Sequence, residues 1–347
     1  MGYQLSKSEA AEMFQQWANQ YKIIAPKLME GEGCFSDTDI VRYGIVTSLD
    51  EIVWDKKSDY SFKEVLLPIN ETLFYFTEDQ TTIPKREEKE VLIFLRACDL
   101  HAVKRLDEIY LRNGFEYFYY ARIRERVNFV LMGCETTCDS GFCVSMETNR
   151  AENYDAYLKL SGDTVYVDLK TMEWNGTIKQ KETEDQSVSD VIEGKIVEVI
   201  PDYVTENKEI VSLPTQLSNE SFTKELWQEY GERCIACGRC NFVCPTCTCF
   251  TMQDIFYKDN PKVGERRRVW ASCQVDGYTE MAGGHGFRQK QGDRMRFKVM
   301  HKIYDFEKRF GYPMCVGCGR CDDVCPEYIS YSNCINRLAK EEKNDEK

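Results

Sequence analysis

The chain reads as an α+β protein, a mixed α/β N-terminal domain followed by an α-helical dicluster ferredoxin-type domain. Two observations carry this reading. Short β-rich runs alternate with helical patterns up to about Thr205, and two cysteine motifs of one spacing follow in the last third of the 347 residues. We divide the chain at 1–220, 221–339 and a charged tail at 340–347 that is expected to be disordered.

In the first region, Val91–Leu95 (VLIFL) has the length and β-branched content of a buried strand. Residues 100–111 place Leu100, Val103, Leu106, Ile109 and Tyr110 on one face of a helix. Val127–Met132 reads as the next strand, with further short strands at Thr164–Leu169 and Lys195–Ile200 and an exposed loop at Lys179–Ser189. Pro201–Ser221 is polar and irregular and marks the boundary. Beyond it a helix is expected at Ser221–Tyr230, capped by Ser221, and another at Arg296–Phe310.

Composition limits the function. A net charge of -13 argues against nucleic-acid binding, which needs a surplus of lysine and arginine, and favours a protein partner. No apolar run approaches the roughly 18 residues of a membrane span, and the start lacks a secretory core, so a cytoplasmic location is expected. Seventeen cysteines admit disulfides, metal ligation or thiol chemistry. They are bunched in triplets, and no signal precedes them, which disfavours a disulfide scaffold.

Cys234, Cys237, Cys240 and Cys244, then Pro245, spell CxxCxxCxxxCP; Cys315, Cys318, Cys321 and Cys325, then Pro326, spell it again. Three thiolates spaced by two residues wrap three corners of a cubane, and the fourth reaches the other cluster. Cluster one therefore takes Cys234, Cys237, Cys240 and Cys325, and cluster two takes Cys315, Cys318, Cys321 and Cys244. Gly238 and Gly317 or Gly319 let the backbone curl round the sulfurs. Zinc also uses CxxC pairs but leaves the third cysteine and the proline without a purpose.

Nine cysteines remain outside the motifs. Cys98, Cys134, Cys138 and Cys143 follow two strand-like runs. They either ligate a third [4Fe-4S] cluster or pack as buried thiols, and both readings stand. Asp99 supports Cys98 or caps a helix, the cap being the simpler role. Cys247, Cys249 and Cys273 are read as packing near a completed cluster, and Cys34 and Cys334 as isolated. The three histidines, His101, His285 and His301, are read as ordinary surface or core residues. Pro261–Phe310 holds twelve lysines and arginines against six acids, carried mostly by Arg266, Arg267, Arg268, Arg288, Arg294, Arg296 and Lys298. These either offset cluster charge, face solvent, or form a docking face. No nucleotide-binding glycine loop is present, and Cys134-xxx-Cys138 is only half of a sirohaem pattern, so no catalytic residue is assigned and the terminal chemistry is placed on another subunit.

CIACGRCNFVCPTCTCF, WASCQ, GGHGFR, the HK of 301–302, CVGCGRCDDVCP, RACDLHAVKRLD and the GFC ending at Cys143 together resemble the iron–sulfur A subunits of cytoplasmic anaerobic sulfite reductases. The motifs are also similar to those of soluble sulfhydrogenase β subunits. The first resemblance implies a three-subunit enzyme in which a flavin subunit oxidises NADH and a sirohaem subunit reduces sulfite to sulfide. This chain would be the wire between them, its eight motif cysteines holding two [4Fe-4S] clusters. The second implies the same wire on a nickel–iron hydrogenase.

Overall fold

The computed structural model describes residues 2–33, 37–85, 89–171, 178–180, 192–214, 217, 219–223, 225–257 and 260–345. Its strands are β1 (Gly2–Ser6), β2 (Tyr21–Met29), β3 (Ile40–Ile45), β4 (Asn70–Phe76), β5 (Thr81–Thr82), β6 (Glu90–Arg96), β7 (Val127–Met132), β8 (Ala156–Ser161), β9 (Thr164–Leu169), β10 (Ile178–Gln180), β11 (Ile192–Ile196), β12 (Phe250–Tyr257) and β13 (Asn260–Trp270). Its helices are α1 (Lys7–Gln20), α2 (Lys63–Leu66), α3 (Ala97–Tyr110), α4 (Phe118–Arg124), α5 (Leu226–Arg233), α6 (Arg239–Phe242), α7 (Gln291–Met300), α8 (Phe306–Phe310), α9 (Arg320–Asp323) and α10 (Tyr331–Asp345).

Among the described residues one mixed sheet runs β10-β11-β1-β9-β8-β7-β6-β2-β3. Its centre, β2, β6, β7 and β8, is parallel. Period-two burial explains why this centre sits inside. Leu92, Phe94, Val130 and Met132 face α1 and its Phe14 and Trp17, while Ile93, Leu95, Phe129 and Leu131 face α3 and Leu100, Val103 and Leu106. Each such side chain contributes about 1.5–3 kcal/mol by leaving water. Strands β6 and β7 end at Arg96 and Met132, so the chain leaving their carboxyl ends carries Cys98 and Cys134 to one edge of the sheet.

The expected strands at 91–95, 127–132 and 164–169 and the helix at 100–111 are present; the strand expected at 195–200 is β11, displaced to Ile192–Ile196. The Lys179–Ser189 loop lies mostly outside the described residues. Ser221 does not cap a helix. It lies in a 3-10 turn, Asn219–Phe222, and its carbonyl accepts the Trp227 indole NH, while α5 begins at Leu226. In the polar stretch beyond Pro201, Val204 and Val211 are buried.

The C-terminal part departs from a purely helical expectation. Residues Phe250–Trp270 form a β-hairpin that joins β4 and β5 in a second sheet, β12-β13-β4-β5, so this sheet crosses the boundary drawn at 220. The predicted helix at 296–310 is longer and uneven. Helix α7 passes through one π-turn at His301–Asp305 into α8. The tail is a correction: α10 continues to Asp345, where a disordered segment was expected, because Ile335, Leu338 and Ala339 anchor it in the core formed with Trp227 and Met295.

Candidate metal centres

The two motif loops fold alike. In the first, Ala236 and Gly238 have φ of 57° and 75°; in the second, Gly317 and Gly319 have 63° and 71°. Left-handed residues at these positions reverse the loop twice, and a four-residue helix, α6 or α9, then leads to the fourth cysteine and its proline. A Cβ on Gly317 would lie 2.5 Å from the Phe142 carbonyl oxygen. Gly317→Ala is therefore expected to cost at least about 1–2 kcal/mol from its backbone conformation alone, and to loosen the contact with the loop carrying Cys143, read as a lower midpoint in thermal unfolding.

The described cysteines are all free thiols, and among the described residues no three His, Cys, Asp or Glu side chains close around a point that would hold a single ion. They surround cavities instead. The first is lined by Cys234, Cys237, Cys240 and Cys325, with Lys298 and Cys321 at its wall. The second is lined by Cys244, Cys315, Cys318 and Cys321, with Lys298 and Lys302. The second cavity thus takes three cysteines from the second motif and one from the first, and the first takes three from the first motif with Cys325 and Cys321 from the second. A third is lined by Cys98, Cys134, Cys138 and Cys143 together with Lys57, Arg96, Asn207, Gly317 and Cys318.

The cavities lie in series. Cys321 and Lys298 line both the first and the second, and Cys318 lines both the second and the third. The second is therefore central, and the first opens outward, where Cys237 is exposed.

Polar groups surround the sulfurs. The Gly317 amide donates to Cys315 Sγ at 3.5 Å and the Ile329 amide to Cys325 Sγ at 3.3 Å. Arg96 Nη1 donates to Cys134 Sγ at 3.4 Å, and Asn207 Nδ2 to Cys143 Sγ at 3.7 Å. Burial pushes the Cys315 thiol up to about 12 and that of Cys143 to about 11. Such thiols become ligands only when a cation displaces their protons.

Buried lysines face the same sulfurs. Burial works against the charge of Lys298, yet Cys240, Cys321 and Cys247 hold its pKa well above the ordinary range. Lys302 is raised in the same way by Cys244, Cys247 and Cys315, and donates to Thr246 Oγ1 at 2.7 Å. Lys57, opposed by burial and raised by Cys318, Asp323 and Cys138, lines the third cavity. Of the basic residues singled out in the insert, Arg266, Arg267, Arg268, Arg294 and Arg296 pair with acids, Asp254, Glu265, Glu71, Asp276 and Asp293 respectively. Arg288 stacks on Phe297. Lys298 is the member of that set that lines a cysteine cavity.

Asp99 does not cap α3, whose N-cap is Arg96. It is fully buried and pairs with Arg320 at 2.7 and 3.0 Å, joining the residue after Cys98 to the residue before Cys321. The histidines stay outside the cavity linings: His101 Nε2 contacts the Arg150 carbonyl oxygen, and His301 stacks on Phe297. Cys334 is buried beside Tyr230. Cys34 lies outside the described residues. Lys57 and Asn207 were not singled out by sequence reasoning, since each comes from a segment without a cysteine pattern, whereas Arg96 stands two residues before Cys98 in a quoted segment but was given no role.

Residues 233–329 match the 4Fe-4S dicluster domain family. This match and the paired motifs define the class: an iron–sulfur electron-transfer protein carrying [4Fe-4S] clusters. Over 310 residues, 86% of this chain and 88% of its relative, the sequence is 29% identical to sulfhydrogenase 2 subunit beta of Pyrococcus furiosus. No solved structure matches. Among the described residues, no helix is long and apolar enough to cross a membrane.

Proposed function

We propose that this chain is a three-cluster electron relay inside a multi-subunit oxidoreductase. The observation that carries the proposal is the run of three cavities, each lined by at least four cysteines, with shared walls. The fit to [4Fe-4S] rests on four sulfurs per cavity, left-handed loop positions that bring the backbone close, NH donors on the sulfurs, and buried cations against the net negative charge of a thiolate-ligated cluster. When bound, the clusters supply one-electron redox chemistry. The protein's own residues hold them, shield them from water and set their electrostatic surroundings.

Lys298 has a specific expected role. A cation favours the more negative, reduced form, so Lys298→Met lowers the midpoint potentials of the first and second centres together and Lys298→Arg restores them. The shift is a fraction of the about 4 kcal/mol that two unit charges 4 Å apart feel at an effective dielectric constant of about 20. EPR-monitored redox titration reads it.

For the partners, the motif resemblance supports a cytoplasmic anaerobic sulfite reductase, with electrons passing from an NADH-oxidising flavin subunit to a sirohaem subunit that reduces sulfite. The relative at 29% identity favours a second reading at least as well, the β subunit of a soluble sulfhydrogenase. Anaerobic co-purification separates them. A sirohaem absorbance band in the complex, with NADH-dependent sulfite reduction on reconstitution, supports the first; bound nickel without sirohaem supports the second.

A further inference from the structure

Cys249 and Cys273 belong to none of the three cavities, yet the hairpin brings them together. Phe250 and Trp270 are the first pair of β12 and β13, and the Ala271 amide extends the ladder to the Cys249 carbonyl at 3.0 Å. Beyond this clamp the Cys249 and Cys273 thiols act on one another, each being the first influence on the other's pKa, which is raised at Cys249 and lowered at Cys273. Cys273 is 3% exposed and accepts two side-chain amides, Asn241 Nδ2 at 3.0 Å and Gln274 Nε2 at 3.4 Å. A small buried apolar cysteine needs no such donors, whereas a sulfur that gains negative charge does. Asn241 also lies 3.9 Å from Cys240 Sγ, so one side chain spans Cys273 and a lining cysteine of the first cavity.

We propose that Cys249 and Cys273 form a dithiol/disulfide couple, a two-electron site beside the first cavity. In oxidation a small-molecule disulfide takes up the two electrons and both thiol protons, leaving as two thiols while the Cys249–Cys273 S–S bond forms. In reduction a low-potential one-electron donor delivers two electrons in succession, the S–S bond breaks, and each sulfur regains a proton. The ladder bond between Ala271 and Cys249 holds the two cysteines as neighbours at one end of the hairpin, as disulfide formation requires. The amides on Cys273 stabilise the reduced form, which makes the disulfide readily reducible. Such a couple would match a two-electron donor to one-electron centres, and only this last role rests on the relay proposed above.

The test uses the full chain, purified anaerobically and divided between mild oxidation by oxidised glutathione and reduction by dithionite. Free thiols are then alkylated, and tryptic peptides 240–258 and 269–288 are mapped by mass spectrometry. The expected result is a Cys249–Cys273 cross-link after oxidation, alkylation of both after dithionite, and unchanged iron content throughout. Cys249→Ala and Cys273→Ala each abolish the cross-link and keep wild-type iron. The proposal is overturned if the wild-type protein keeps its iron without cross-linking, or if either variant loses about four irons per chain, since the two residues would then be cluster ligands. Absence of iron from every preparation would instead count against the relay and leave the cross-link assay to be read on its own.

Discussion

Cys325→Ser is expected to remove the iron held mainly by the first motif and to spare the second, while Cys244→Ser does the reverse. The reason is the crossed lining of the cavities, where Cys325 faces Cys234, Cys237 and Cys240, and Cys244 faces Cys315, Cys318 and Cys321. Each change should lower iron by about four per chain and delete one signal from the EPR spectrum of the reduced protein. Comparing the variants with Cys237→Ser and Cys318→Ser gives the pairing. Cys325→Ser must match Cys237→Ser, and Cys244→Ser must match Cys318→Ser. A parallel pattern, with Cys244 grouped with its own motif, contradicts the crossed arrangement.

Asp99→Asn is expected to produce the largest loss of stability among single changes outside the cysteines. Asp99 and Arg320 are 0% and 1% exposed, and the Tyr43 hydroxyl donates to the same carboxylate at 3.2 Å. Arg320 also donates to the Ser58 carbonyl and hydroxyl. Removing one charge of a buried pair leaves the other uncompensated and costs about 3–5 kcal/mol. The pair ties the start of α3 to α9, so the loss also bears on the wall between the second and third cavities. Denaturant unfolding of iron-loaded protein, with iron counted in parallel, measures it. Arg320→Met should be as damaging as Asp99→Asn, whereas the double change should recover part of the loss, because then no unpaired charge is buried.

Much of the site was legible because its chemistry is written in spacing. The duplicated motif proposes which cysteines share a cluster, and Cys234, Cys237, Cys240 and Cys325 line one cavity while Cys244, Cys315, Cys318 and Cys321 line another. The gathering of Cys98, Cys134, Cys138 and Cys143 was legible as one of two readings, since adjacent parallel strands deliver their carboxyl ends to a common edge. The insert was less readable. Strand β12 is exposed along nearly its whole length, so it lacks the alternation that marks a half-buried strand, and β4, which pairs with the other hairpin strand β13, lies far away in sequence. Helix α1 carried a readable signal that was not used: Ser6 and Glu9 form a capping box. Lys57 and Asn207 could not be found by pattern, because a side chain that reaches the cavities through tertiary packing leaves no local periodicity, whereas Arg96 lay in view beside Cys98.

The central claim is that the N-terminal domain holds a centre of its own in series with the two of the dicluster domain. Iron and acid-labile sulfide per chain, measured on anaerobically purified protein alongside its reduced EPR spectrum, test it most directly. The account predicts about twelve irons and a matching amount of sulfide. About eight irons would contradict it, leaving two clusters and returning Cys98, Cys134, Cys138 and Cys143 to the role of packed thiols.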